Sequence, residues 1–190
     1  IFSDDKFPVL IGGEHSVSIG GFQAAARSFK NLTILQLDAH ADLRASYEDS
    51  EYNHACVMAR ARELAPIVQV GIRSMAISEK EYLDTRRVFF ANDIHNNSLW
   101  MEKALNFLSE NVYVSIDLDV FDPAIVPATG TPEPGGLDYY TVLSFLRKVN
   151  KKSNIIGFDV VELCPIDGIK APDFLASKLI YQFLSYKFFD

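Results

Sequence analysis

Four short apolar runs in this chain stop abruptly on ionisable residues, and that pairing constrains the fold more than any other feature. They read Val-Leu-Ile-Gly-Gly-Glu-His-Ser from residue 9, Leu-Gln-Leu-Asp-Ala-His-Ala-Asp from 35, Val-Ser-Ile-Asp-Leu-Asp-Val-Phe-Asp-Pro from 114, and Gly-Phe-Asp-Val-Val-Glu from 157. Strands are expected at 8–12, 32–38, 67–71, 88–90, 112–117 and 154–160. Most of these runs are continuously apolar, as strands covered on both faces require. Helical spacing appears at 17–29, 99–108 and 142–149. A last stripe carries Leu175, Leu179, Phe183 and Leu184, with Pro172 near its start. Strands alternating with helices make βαβ units, so the fold class is α/β: three layers, α/β/α, around a mostly parallel sheet. No repeat or Gly/Ser linker divides the 190 residues, and a single domain over 1–190 is expected.

In such sheets ligands gather beyond the carboxyl ends of the strands. Those ends carry Glu14 and His15, then Asp38, His40 and Asp42, then Asp117, Asp119 and Asp122, and finally Asp159 and Glu162. In an extended chain, residues i, i+2 and i+4 project to one side. On that spacing Asp38, His40 and Asp42 point at one spot, and so do Asp117 and Asp119. Carboxylates packed this closely repel unless protonated or neutralised by a cation. With His15 added, the donors exceed what one ion needs and suit a two-metal site with bridging carboxylates. Mixed imidazole and carboxylate donors suit Mn²⁺, Fe²⁺ or Zn²⁺. A lone Asp-x-Asp is a weak signal, and His15 alone reads as a helix-start or core histidine; the joint pattern on three strand ends carries the inference. A phosphate loop is disfavoured, because no Gly-x-Gly-x-x-Gly follows any strand.

Eighteen basic and 25 acidic residues give a net charge of −7. Nucleic acid and anionic membrane surfaces are therefore not expected as partners. Two cysteines cannot build a disulfide framework, and a cytoplasmic location is expected. No apolar run approaches the roughly 20 residues of a membrane span, and no signal-peptide pattern opens the chain.

Gly-Gly-Glu-His-Ser (12–16), Asp-Ala-His-Ala-Asp (38–42), Ser-Ile-Asp-Leu-Asp-Val-Phe-Asp-Pro (115–123) and Asp-Val-Val-Glu (159–162) resemble the motifs of the ureohydrolases, the arginase/agmatinase family of binuclear manganese hydrolases. The resemblance runs in order from Gly12 to Pro165 and includes the Thr-Pro-Glu-Pro-Gly-Gly stretch ending at Gly136. It implies an arginase-like fold and two Mn²⁺ ions. His15 and Asp42 would hold one, His40 and Asp119 the other, and Asp38 and Asp117 would bridge them. It also implies that His54, in Asn-His-Ala-Cys, moves protons and that Glu162 pairs with a substrate guanidinium. Asp122 and Asp159 are expected to support rather than ligate.

The implied partner is a small cationic guanidino substrate. Glu14 before His15, the Asp-Leu-Arg at 42–44 and the Asn-His-Ala-Cys loop look agmatinase-like. Agmatine, split to putrescine and urea, is therefore expected first, ahead of arginine or another guanidino acid. A non-catalytic assembly subunit of the same fold is a further reading, but all six ligand positions are intact. A metal-dependent deacetylase lacks support, because its mononuclear zinc pattern is missing. Family members commonly form homo-oligomers, which is expected here too. They also carry sheet strands before the Gly-Gly-Glu-His motif, so an N-terminally incomplete chain is expected. His95 reads as a surface or core residue, Cys56 and Cys164 as small buried hydrophobes, and Trp100 as packing.

Overall fold

All six apolar runs become strands: β1 (Val9–Ile11), β2 (Leu32–Leu37), β3 (Ile67–Ile72), β4 (Val88–Phe90), β5 (Asn111–Asp117) and β6 (Asn154–Val161). The computed structural model describes residues 1–97 and 99–190. The sheet order is β1-β6-β5-β2-β3-β4, and every neighbouring pair is parallel. Each residue of β2 is buried, which explains why its sequence is a run and not an alternation.

Helices cover both faces. Against one lie α1 (Ser18–Ser28) and α2 (Val57–Arg62), packing Phe22, Met58 and Ala61 on Ile34, Ile72 and Tyr113. Against the other lie α3 (Ala91–Asn96), α4 (Trp100–Leu105), α5 (Tyr139–Lys152) and α6 (Ala171–Phe189). Their Ile94, Trp100, Phe145, Leu179 and Phe183 meet Leu35, Leu37 and Val114, the strand residues of opposite parity. Trp100 packs on Phe145 with ring centroids 4.8 Å apart, as a packing residue should. Asp138 starts α5 by accepting the Thr141 N–H at 2.9 Å, and Lys151 and Lys152 occupy its last turn. Helices α2 and α3 were not expected from the sequence. Each is six residues long; α4, equally short, showed its spacing within the longer 99–108 stretch. One face of α6 enters the core, while Phe174, Tyr181, Phe188 and Phe189 stay exposed. No helix of the described residues is long and apolar enough to cross a membrane.

The strand order positions the site. From β2 the chain steps outward through β3 to β4, then returns to β5 on the other side of β2 and steps the opposite way to β6. The reversal leaves a crevice beyond the carboxyl ends of β2 and β5, where α/β sheets bind ligands. Leu37 is in register with Ile116, so Asp38 and Asp117 emerge side by side.

Behind Asp38 the backbone is tight. Gly71 sits at φ 97° where the β3–β4 register shifts, and a Cβ there would lie 2.9 Å from both the Asp38 carbonyl and Val120 Cγ2. Gly71→Ala should cost about 1–3 kcal/mol from overpacking and left-handed strain. In a chain of this size that lowers the melting temperature by about 2–12 °C in a thermal scan. An unchanged melting temperature would show that the crevice yields there.

Candidate metal centre

The donors meet, but not by simple strand alternation. Strand β2 ends at Leu37, and beyond it His40 makes an isolated parallel bridge to Ser74. Asp42 reaches inward because its backbone is left-handed, at φ 54°. Asp117 closes β5, and Asp119 lies in the 3₁₀ turn Leu118–Val120. That turn is held by the Asp119 N–H donating to Asp117 Oδ1 at 2.9 Å. His15 opens the turn His15–Val17, which Glu14 caps by accepting the Ser16 N–H.

The side chains form two groups that share Asp38: His15, Asp38 and Asp117, and Asp38, His40 and Asp119. His15 Nδ1 lies 3.0 Å from Asp42 Oδ2, 3.2 Å from Asp38 Oδ2 and 3.4 Å from Asp117 Oδ2. His40 Nδ1 lies 2.8 Å from Asp119 Oδ2 and 3.6 Å from Asp38 Oδ1. All six expected ligand residues are thus gathered at one place.

Whether the cluster suits a cation is tested by His15. Its Nδ1 is buried and makes no hydrogen bond, although three carboxylate oxygens stand within 3.4 Å. A ring N–H would align with one of them; an ion in front of the nitrogen would be shared by all. The opposite nitrogen sets the tautomer. Ser115 Oγ donates to Asp159 Oδ1 at 2.6 Å, so it accepts from His15 Nε2 at 2.9 Å. A neutral His15 therefore presents the Nδ1 lone pair to the cluster, as a ligand must. The donor set fits the hard-to-borderline divalent cations expected of it.

Electrostatics agree. Burial, then the Asp38 charge, pushes the Asp42 carboxyl up to about 7. Burial and the charges of Asp119 and Asp38 raise Asp117 well above its ordinary range. Burial and Asp38 raise Asp119. Burial opposes charge on His40, yet contact with Asp119 and Asp38 outweighs it and pushes the imidazole up to about 11. His15 is likewise raised against its burial by Asp117, Asp38 and Asp42. Asp38 is the exception: burial alone would raise it, but His15 and His40 hold it low. Protons thus take the positions that cations would fill.

The supporting layer contains residues that sequence reasoning passed over. Gln36 Nε2 donates to Asp38 Oδ2 at 2.7 Å, and Gln69 Nε2 donates to Gln36 Oε1 at 2.6 Å. Together with Ser115, these are polar residues inside buried strands. That oddity was the signal available for finding them. Asp159 and Asp122 act as supports, as expected. Asp159 orients Ser115, and Asp122 accepts the N–H groups of Ala124, Gly135 and Gly136.

A cavity of about 520 Å³ opens above the cluster, and both His54 and Glu162 line it. His54 has a half-exposed ring, set edge-on to Tyr47, with Nδ1 3.7 Å from Glu14 Oε2. Glu162 is left-handed at φ 67°. Its N–H donates to the Gly13 carbonyl at 2.7 Å, and its Oε1 accepts the His15 N–H at 2.7 Å. The other oxygen faces Gly130, where a Cβ would stand 3.8 Å away. Oε1 thus already accepts one N–H, and Oε2 is left as the main acceptor toward the cavity. His95 stays outside the cavity, its Nε2 3.2 Å from the Gly135 carbonyl. Cys56 is buried, but Cys164 is exposed, against the expectation that both would be small buried hydrophobes.

Comparison with known proteins decides the family. The Arginase family profile matches residues 1–185. The chain belongs to the arginase family. This arginase-family chain is 38% identical over 188 residues to N(1)-aminopropylagmatine ureohydrolase of Synechocystis sp., covering 96% of itself and 61% of that protein. It is 35% identical to the agmatinase of Pyrococcus horikoshii, covering 92% of itself and 60% of that protein. Among solved structures, agmatine ureohydrolase of Thermoplasma volcanium superposes with a TM-score of 0.85 at 38% identity, over 98% of this chain and 64% of that one. The chain thus spans about 60% of the length of the curated relatives it matches.

Proposed function

We propose that the protein carrying this chain is a binuclear-metal ureohydrolase that splits a guanidino group into urea and an amine. Manganese is the proposed metal, and agmatine or its aminopropyl derivative the proposed substrate. The observation that carries the reading is the convergence of six donors in front of the orphaned His15 Nδ1, on the floor of a cavity whose walls carry Glu162 and His54. His15 and Asp42 would hold one ion, His40 and Asp119 the other, with Asp38 and Asp117 shared.

When bound, divalent cations lower the pKa of water toward 7 and so supply hydroxide near neutral pH. The free Glu162 oxygen accepts from the guanidinium by a charge-assisted hydrogen bond and fixes its plane over the cluster. Water adds to the guanidinium carbon, the bond from that carbon to the chain-bearing nitrogen breaks, and the two protons that water gives up end on that nitrogen, leaving urea and the amine as its ammonium form. His54 stands at the cavity wall within reach of solvent, placed to deliver one of these protons.

A urea-release assay with agmatine, N(1)-aminopropylagmatine and arginine, with manganese supplied, tests this. Glu162→Gln removes the negative charge and should cost about 1.5–3 kcal/mol in transition-state binding, the scale of a hydrogen bond to a charged group. His54→Asn should lower turnover with both ions retained. Wild-type rates in either variant would refute that residue's role. No urea from any guanidino substrate by the manganese-loaded protein would leave an assembly subunit as the reading.

A further inference from the structure

We propose that Arg73 is a positioning residue for one of the two cation groups far more than for the other. The inference rests on the two-cation reading above. Arg73 follows β3, and its half-buried side chain makes six hydrogen bonds to five backbone carbonyls. Nη2 donates to Asp119 O at 2.6 Å, to Glu133 O at 2.8 Å and to Phe121 O at 3.3 Å. Nε reaches Glu133 O at 3.2 Å and Pro134 O at 3.1 Å, and Nη1 reaches Gly71 O at 3.1 Å. A cation beside an acidic cluster thus spends its donors on main chain. The planar guanidinium, with donors in fixed directions, can span these carbonyls; an ammonium cannot.

The backbone closes a ring. Arg73 N–H donates to Ala39 O at 2.8 Å, and Ala39 N–H donates to Asp119 Oδ1 at 2.9 Å. Asp119 O in turn accepts from Arg73 Nη2. Ala39 sits between Asp38 and His40, so the ring ties together all three donors of the second group. None of these hydrogen bonds reaches His15, Asp42 or Asp117. That side is braced instead by Ser115 and Asp159. The two groups share Asp38 and are linked by the Asp119 N–H donated to Asp117 Oδ1 at 2.9 Å, but their outer supports differ, and Arg73 bears directly on the Asp38–His40–Asp119 side.

Charge and geometry pull in opposite directions, which makes the claim testable. As a positive charge, Arg73 repels an arriving cation; as a template, it holds the donors in place. Arg73→Lys keeps the charge and loses the template. Arg73→Gln loses the charge and keeps a smaller fork. Metal-free protein is titrated with MnCl₂ by calorimetry, and anomalous scattering from crystals soaked at limiting manganese assigns each occupancy to a group. In Arg73→Lys the Asp38–His40–Asp119 group should weaken about 10–100-fold, the scale of losing a ligand's outer support, while the His15 group stays within about threefold. Arg73→Gln should weaken the same group. Arg147→Lys makes the same exchange at an exposed guanidinium that pairs with Asp190, away from the cluster, and should leave both affinities unchanged.

Equal weakening of both groups, unchanged binding in Arg73→Lys, or tighter binding in Arg73→Gln overturns the assignment. So does loss of the fold in both Arg73 variants, which would make the residue one of general stability. Wild-type protein that takes up fewer than two manganese ions removes the group to be positioned, and that failure lies with the two-cation reading.

Discussion

Asp38→Asn should cripple both halves of the centre at once. Asp38 belongs to both donor groups, and its carboxylate is the one held low while its neighbours are raised. The amide keeps the shape and can still accept from the His40 N–H. It has no charge to offer a cation, and its NH₂ has no acceptor duty to perform toward one. Urea release should fall by about 10³-fold or more, beyond the scale of removing a single preorganised oxyanion donor. Manganese stoichiometry should fall with it. Asp84→Asn, at a carboxylate that pairs with Arg86 outside the cavity, should leave the rate near wild type. A two-ion complex in Asp38→Asn with substantial turnover would remove Asp38 from the role proposed for it.

Removing the metal should produce the second large effect, with a distinctive pH signature. Manganese held at about 1,000 times its dissociation constant stabilises by about 4 kcal/mol. Chelation should then lower the melting temperature by about 8–16 °C in a chain of this size. In the metal-free protein, Asp42 moves from its ordinary 3.8 to about 7, and His40 from 6.5 to about 11. Both folded values are raised, so both groups bind protons more tightly in the folded state. Their stabilisation is complete below the unfolded values and is lost as pH rises through the folded ones. For Asp42 that window runs from about pH 4 to 7, and for His40 from about pH 6.5 to 11. The chelated protein should accordingly melt lower at pH 9 than at pH 6. Manganese binding displaces those protons, so its stabilising increment should grow over the same range. Thermal scans at pH 6, 7, 8 and 9 with EDTA and with MnCl₂ read both slopes. A chelated protein that gains stability toward pH 9, or a manganese increment that shrinks, would contradict the cluster's electrostatics.

Much of this was legible in the order of residues. Continuous apolar runs fall within two residues of the observed strands because strands buried on both faces have no polar side to interrupt them. Their acidic ends announced a cation site because four carboxylates at buried strand ends need partners. Helices α2 and α3 escaped, whereas α4, also six residues, was legible through the spacing of the longer 99–108 stretch. The geometry of the donors was not legible. Spacing at i, i+2 and i+4 presumed extended chain, whereas Asp42 comes inward through a left-handed backbone and Asp119 through a 3₁₀ turn.

Parallel α/β architecture, the family, and the six donor residues were thus determined by local sequence, since burial pattern and residue chemistry act over a few positions. Tertiary structure alone decided that β2 and β5 are neighbours at the sheet's reversal, which sets Asp38 beside Asp117. It also decided that Glu162 spends one oxygen on the His15 amide, 147 residues away in the chain. Arg73 reads as any exposed arginine until the fold brings Ala39, Asp119 and Glu133 around it. Contacts of that kind depend on which strand ends meet, and no spacing along one segment encodes the partner waiting on another.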